Sequence, residues 1–222
     1  MSRRASPDRR RQIAQAALEA FSASGFRRTQ VSEIAKLAGV APGTLYLYTA
    51  SKETLFLAAL HIALGEQPDQ AFEDEQNLLE TISVKLTLSK GLPSLFQASR
   101  SDGYGVPPLE VIVEEVYDAV DRVAPAIRLV ERCAQDWPEL AALFYAELRP
   151  QLIQILTSYL AKGIEAGLLR PIPDLPLAAR LILETIAWFA IHRHGDADGR
   201  FFDSVAARAT VIDALTHAYA SH

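Results

Sequence analysis

Ile34–Leu55 reads IAKLAGVAPGTLYLYTASKETL. Two short helical patterns are split by Gly39, and the second carries Tyr46 and Tyr48 beside Thr44 and Lys52. A core helix has no use for so many hydrogen-bonding groups in so short a span, because each needs a partner once it leaves water. Two short helices joined at a glycine and packed on a preceding helix make the helix-turn-helix pattern. Ala35 lets the helices approach, and Gly39 tolerates the positive φ of a tight turn. Ile34, Val40 and Leu45 point into the small core, leaving Pro42, Gly43, Thr44, Tyr46, Tyr48 and Lys52 for the outer face. Threonine and tyrosine hydroxyls and a lysine ammonium donate to phosphate oxygens, and a Pro-Gly start brings backbone close to a phosphate at a helix N-terminus.

This motif sits in a basic head. Through residue 60 the cations are Arg3, Arg4, Arg9, Arg10, Arg11, Arg27, Arg28, Lys36 and Lys52, set against Asp8, Glu19, Glu33 and Glu53, a net of +5. The whole chain carries −5, so the remainder carries −10. A cationic head on an acidic body points to a polyanion met by the head alone. Arg28, just ahead of the second helix, is placed for a phosphate. The arm Arg3–Arg11 either lies along phosphates or a minor groove, or is a solvated basic tail.

Nearly every segment reads helical, without alternating β-branched runs or an Asn-Gly hairpin signal. The expected fold class is all-α: an N-terminal three-helix helix-turn-helix domain over residues 1–65 and a larger helical domain over residues 66–222. Ser6 caps a first helix that Gly25 ends, Thr29 is placed to cap the second, the third runs from Pro42 to Tyr48, and Ser51 caps the fourth. Further helices are expected over Glu75–Ser89, with a helical turn at Ser94–Ala98. One follows from Pro108 to Cys133, perturbed at Pro125. Another, capped by Asp136, runs to Ala166 with a kink near Pro150. Asp174–His194 and Asp203–Tyr219 close the chain.

The string Val31, Ile34, Ala35, Ala38, Gly39, Val40, Ala41, Gly43, Thr44, Leu45, Tyr46, Tyr48, then Ser51, Lys52, Glu53 and Leu55, resembles the DNA-binding domain of TetR-family transcriptional regulators. The resemblance implies a homodimer that binds a palindromic operator in double-stranded DNA, represses a promoter and is released by a small hydrophobic or aromatic effector bound to the body. It places Thr44, Tyr46, Tyr48 and Lys52 at DNA-contact positions, with Tyr46 and Lys52 on phosphates and the helix carrying Pro42, Gly43 and Thr44 in the major groove. Residues 66–222 become the ligand-binding and dimerisation domain. Two departures stand out: Ala41 replaces a frequent capping serine, and Thr49 a usual aromatic. The last two long helices, through Leu177, Leu181, Glu184, Thr185, Trp188 and Ile191 and through Val205, Ala209, Ile212 and Leu215, are the expected dimer surface. Among the body's aromatics, which include Phe96, Tyr104 and Tyr159, candidate effector contacts are Tyr117, Phe144 and Trp188, together with His192. The fourth helix, Ser51–Leu64, is the expected coupling element.

The sequence has no secretory signal and no uncharged apolar run of about 18 residues, so a cytoplasmic chain without a membrane partner is expected. Cys133 is the single cysteine, which excludes an internal disulfide and reads as a small buried hydrophobe. No cofactor and no metal are expected: His192 and His194 diverge on a helix. No Gly-rich phosphate loop, Gly-x-Ser-x-Gly elbow or His-Glu-x-x-His motif is present, and Glu114 and Glu115 diverge, so an enzyme is not expected. Two alternatives stay open: a regulator gated by a protein partner, with Ser99–Pro108 as its docking loop, and a helical enzyme with an unrecognised site.

Overall fold

The computed structural model describes residues 7–49, 51–68, 71, 78–87, 91–100 and 105–221; the expectations that fell on Arg3, Arg4, Ser6, Glu75, Ser89 and Tyr104 lie outside them. The described chain is all-α, with one isolated antiparallel bridge, Leu169 to Ala220. It packs as two units, Met1–Leu86 with Pro125–Ala146, and Thr87–Ala124 with Glu147–His222. This division by packing differs from the expected division at residue 65.

The first unit holds α1 (Pro7–Ser24), α2 (Val31–Leu37), α3 (Pro42–Leu45), α4 (Lys52–Ala63) and α5 (Leu78–Leu86), with most of α8 (Ala124–Ala134) and α9 (Pro138–Ala141). The inward stripe of α1, Ile13, Ala17 and Phe21, packs on Leu55, Phe56 and Leu60 of α4, all fully buried. Gly25 ends α1 at φ 83°, and a Cβ there would come within 2.9 Å of the Asp136 carboxylate, so both backbone and space require glycine. Phe26 follows, stacked on Trp137 at 4.0 Å and set edge-on to Phe56. Asp136 does not cap α9 as expected. Its carboxylate accepts from the Phe26 amide at 3.0 Å, and Trp137 takes the cap position without a side-chain bond. Arg132 donates to the Ala23 carbonyl at 3.0 and 3.3 Å.

The second unit packs α6 (Pro93–Arg100), α7 (Leu109–Arg122), α10 (Arg149–Glu165), α11 (Leu175–Ala187) and α12 (Ser204–Tyr219). Sequence led to only one helical turn for α6, which has two. Charge holds both its ends: Glu115 accepts from the Ser94 and Leu95 amides, and the Lys162 ammonium donates to the Ala98 and Ser99 carbonyls. Val123 breaks the helix expected over Pro108–Cys133 into α7 and α8, just ahead of Pro125. Ahead of Pro150, which lacks the amide proton of the helical ladder, the chain widens into a π turn over Ala142–Leu148. Asp174 and Asp203 cap α11 and α12 as expected. A second π turn, Trp188–His192, follows α11, and buried Arg193 binds the Phe189 and Phe202 carbonyls and the Ser204 hydroxyl.

The segment Leu175–Gly195 is long and apolar enough to cross a membrane by length and composition alone. It is not an uncharged run, since Arg180, Glu184 and Arg193 lie within it, the first two as an ion pair. It packs on α7, α10 and α12 through Ala178, Ala179, Ile182 and Ile186.

Candidate nucleic-acid interface

Thr29 sets the entry to the motif, though not as a cap of α2. It is buried, and its hydroxyl donates to the carbonyls of Gly25 (2.7 Å) and Ala20 (3.1 Å) at the end of α1. Gln30 takes the N-cap of α2 without a side-chain bond. Gly39 then turns the chain at φ 64°. Ile34, Ala35 and Leu45 are fully buried, and Val40 is half-buried above them.

The third helix is shorter than expected. Only Pro42–Leu45 is α-helical, and the chain continues to Tyr48 in tighter turns, with the Leu47 amide on Thr44 and the Tyr48 amide on Leu45. Ala41 caps nothing with its side chain. One turn of helix carries little macrodipole, so the anion attraction expected of this terminus is left to its side chains. Thr49 is buried, and its hydroxyl donates to the Ser51 carbonyl. Ser51 caps α4 as expected, accepting from the Thr54 amide at 3.1 Å.

Pro42 and Gly43 are exposed, Thr44 and Tyr48 half-buried, and Tyr46 is 60% exposed. Arg27, Arg28, Ser32 and Lys36 are exposed as well. Lys52 is committed within the unit: its ammonium donates to the Arg27 carbonyl at 3.2 Å and lies 5.0 Å from the Phe26 ring centre. Burial lowers its pKa, opposed by the carboxylates of Asp136 and Glu53. Sequence reasoning missed Leu47, 81% exposed between the two tyrosines. The signal was available, since Leu47 lies off the inward face of Ile34, Val40 and Leu45. From Pro7 onward the expected arm is already helix α1, and Arg9 and Arg11 line an open groove with Leu37, Ala38 and Gly39.

The candidate effector residues are distributed differently. Tyr117 is buried on α7, which packs on the turn bearing Trp188 and His192; burial, then Asp121, raises its hydroxyl pKa. Trp188 is 37% exposed and His192 is exposed. Phe144 belongs to the first unit, edge-on to Tyr145 at 5.0 Å. Of the expected dimer residues, Leu177, Leu181, Trp188, Val205 and Ala209 are exposed, whereas Ile191, Ile212 and Leu215 are buried inside their own unit. Among the described residues no group of three His, Cys, Asp or Glu side chains could hold a metal ion.

These features define a helix-turn-helix protein with an appended helical body. Residues 13–59 match the model of the bacterial regulatory proteins of the tetR family, and residues 118–194 that of the AefR-like transcriptional repressor C-terminal domain. Together the matches take in more than half of the chain. It is similar to the fatty acid metabolism regulator protein of Bacillus subtilis (strain 168), 28% identical over 182 residues that cover 79% of this chain and 78% of that one. It is similar to the HTH-type transcriptional regulator RutR of Escherichia coli (strain K12), 37% identical over 103 residues that cover 44% of this chain and 47% of RutR. Its fold is similar to that of the ketosteroid transcriptional regulator KstR2 of Mycobacterium tuberculosis, with a TM-score of 0.60 over 96% of both chains at 19% identity. The chain belongs to the TetR family of transcriptional regulators.

Proposed function

We propose that this regulator is a repressor that binds a palindromic operator as a homodimer and releases it when a small hydrophobic effector occupies the body. The observation that carries the reading is the outer face of Pro42–Lys52, where Gly43 is glycine without a reason inside the fold. Its φ is not positive, and a Cβ there would meet nothing within 4 Å. Alanine at an unstrained glycine site stabilises by about 0.4–1 kcal/mol, so the use of glycine here fits close approach by something outside the chain. Pro42, Gly43, Thr44, Tyr46, Tyr48, Lys52 and Arg28 form the DNA face, with the N–H groups of Lys52 that the Arg27 carbonyl does not take left for a phosphate.

Residues 1–65 are the DNA-binding domain and residues 66–222 the ligand-binding and dimerisation domain. The match of residues 118–194 to a repressor domain supports repression. The similarity to a regulator of fatty acid metabolism is compatible with a small hydrophobic or aromatic effector. Its proposed contacts are drawn from Tyr117, Trp188 and His192 of the second unit, with Phe144 of the first a separate candidate, and α4 carries the signal by its tilt. The protein acts in the cytoplasm, without a membrane partner.

The test is titration of the purified protein against duplex from immediately upstream of its own gene, at two salt concentrations, beside a scrambled duplex. Tight, salt-dependent, sequence-preferring binding is expected. Binding no better than to the scrambled duplex overturns the operator assignment. Acyl and aromatic compounds are then added to the complex; release with a change in tryptophan fluorescence is expected, and an unmoved complex across the panel overturns the effector reading.

A further inference from the structure

Leu47 is the most exposed large apolar side chain among those described, at 81%. It stands next to Tyr46, itself 60% exposed, and its amide is fixed on the Thr44 carbonyl at 3.1 Å, so the turn holds it outward. Gly43 lies four residues earlier, with open space where a Cβ would be. Leu47 is thus an outward apolar side chain set among the donors Thr44, Tyr46 and Tyr48. The edges of base pairs in the major groove offer donors, acceptors and one apolar group, the C5-methyl of thymine. A leucine set against a donor or acceptor would strip its water and return no hydrogen bond. Against the methyl it loses nothing.

We infer that Leu47 is a specificity-determining residue that reads a thymine C5-methyl in each operator half-site. The inference rests on the DNA-binding reading above and deepens it, since it assigns sequence preference to an apolar contact. Thr44 and the tyrosines then serve position or other base edges.

The probe is a duplex selected from a random pool by the full-length protein. Each thymine is replaced in turn by deoxyuridine, symmetrically in both half-sites, which removes the methyl and nothing else. For the wild-type protein one such replacement weakens binding about fourfold per half-site, the worth of one buried methyl. Leu47→Ala binds the all-thymine duplex more weakly by about that same factor and is indifferent to that replacement. Circular dichroism of the variant is unchanged, because the side chain is exposed. The inference is overturned if no thymine is methyl-sensitive, or if Leu47→Ala keeps the wild-type sensitivity while losing affinity for every duplex alike. A selection that returns no preferred duplex overturns the operator reading together with this one, so the two failures are distinct.

Discussion

At the scale of single residues, Gly43 separates what the fold needs from what binding needs. Gly43→Ala adds a better helix former with free space around its methyl, so the midpoint of urea unfolding rises, by about 1 kcal/mol in stability. The same methyl meets the DNA, so operator affinity falls. Opposite signs in the two measurements are the expected outcome; equal or improved DNA binding would remove Gly43 from the interface. Lys52 gives a second contrast. Its ammonium donates to the Arg27 carbonyl in the free protein, which leaves two of its three N–H groups for the proposed phosphate contact. Lys52→Ala should weaken binding on every duplex and reduce the salt slope by about 1. Cys133 is a third case. Burial pushes its thiol up to about 12, with Asp136 adding to the shift. A folded pKa above the unfolded one contributes stability that is full below the unfolded value, near 9, and is lost as pH rises toward 12. Below pH 9 the folded protein should therefore resist thiol reagents, and labelling should follow global unfolding. Rapid labelling of the native protein would contradict the burial.

At the scale of elements, the bonds joining α8–α9 to the head are made at the turn after α1. Phe26 gives its amide to Asp136 and its ring to Trp137, while Arg132 holds the carbonyl of Ala23. This is the turn whose next residue, Arg27, receives Lys52. Asp136→Ala leaves the Phe26 amide without its acceptor and should cost about 1–3 kcal/mol in urea unfolding; a loss under 0.5 kcal/mol would mean that water replaces the carboxylate. Here the limits of sequence reading are physical. Ser51, Asp174 and Asp203 announced their caps correctly because each acts on amides two or three residues ahead. Thr29 and Asp136 have the same chemistry, yet their oxygens serve other partners, Thr29 the end of the preceding helix and Asp136 an amide 110 residues away. Local pattern gives the donor or acceptor; only packing decides which of two available partners it meets. For the same reason the outer face of Pro42–Lys52, on which Leu47 stands, was legible from residue types and spacing, whereas the tether of Lys52 was not.

At the scale of the whole molecule the proposed dimer is the feature on which sequence-specific binding depends. Leu177, Leu181 and Trp188 recur along one face of α11 and its π turn, with Glu184 between them, and all three apolar side chains are exposed, as is Val205 at the start of α12. Spacing of four, three and four residues is that of a helix-packing seam, and exposed apolar groups in such a row call for a cover. The neighbouring face, Ala178, Ala179, Ile182 and Ile186, is already buried in the unit, so the seam is additional to the core. Leu181→Glu puts a charge in its middle, and because Leu181 is 51% exposed the isolated subunit should lose no more than about 0.5 kcal/mol. Light scattering should then report a monomer where the wild type is a dimer. The DNA readout follows from geometry: a monomer engages one half-site, so its phosphate contacts and therefore its salt slope fall to about half. A variant that stays dimeric and keeps the full slope would move the dimer interface off α11. One that becomes monomeric yet keeps the full slope would mean that two subunits assemble on the operator itself, each held by its own recognition turn.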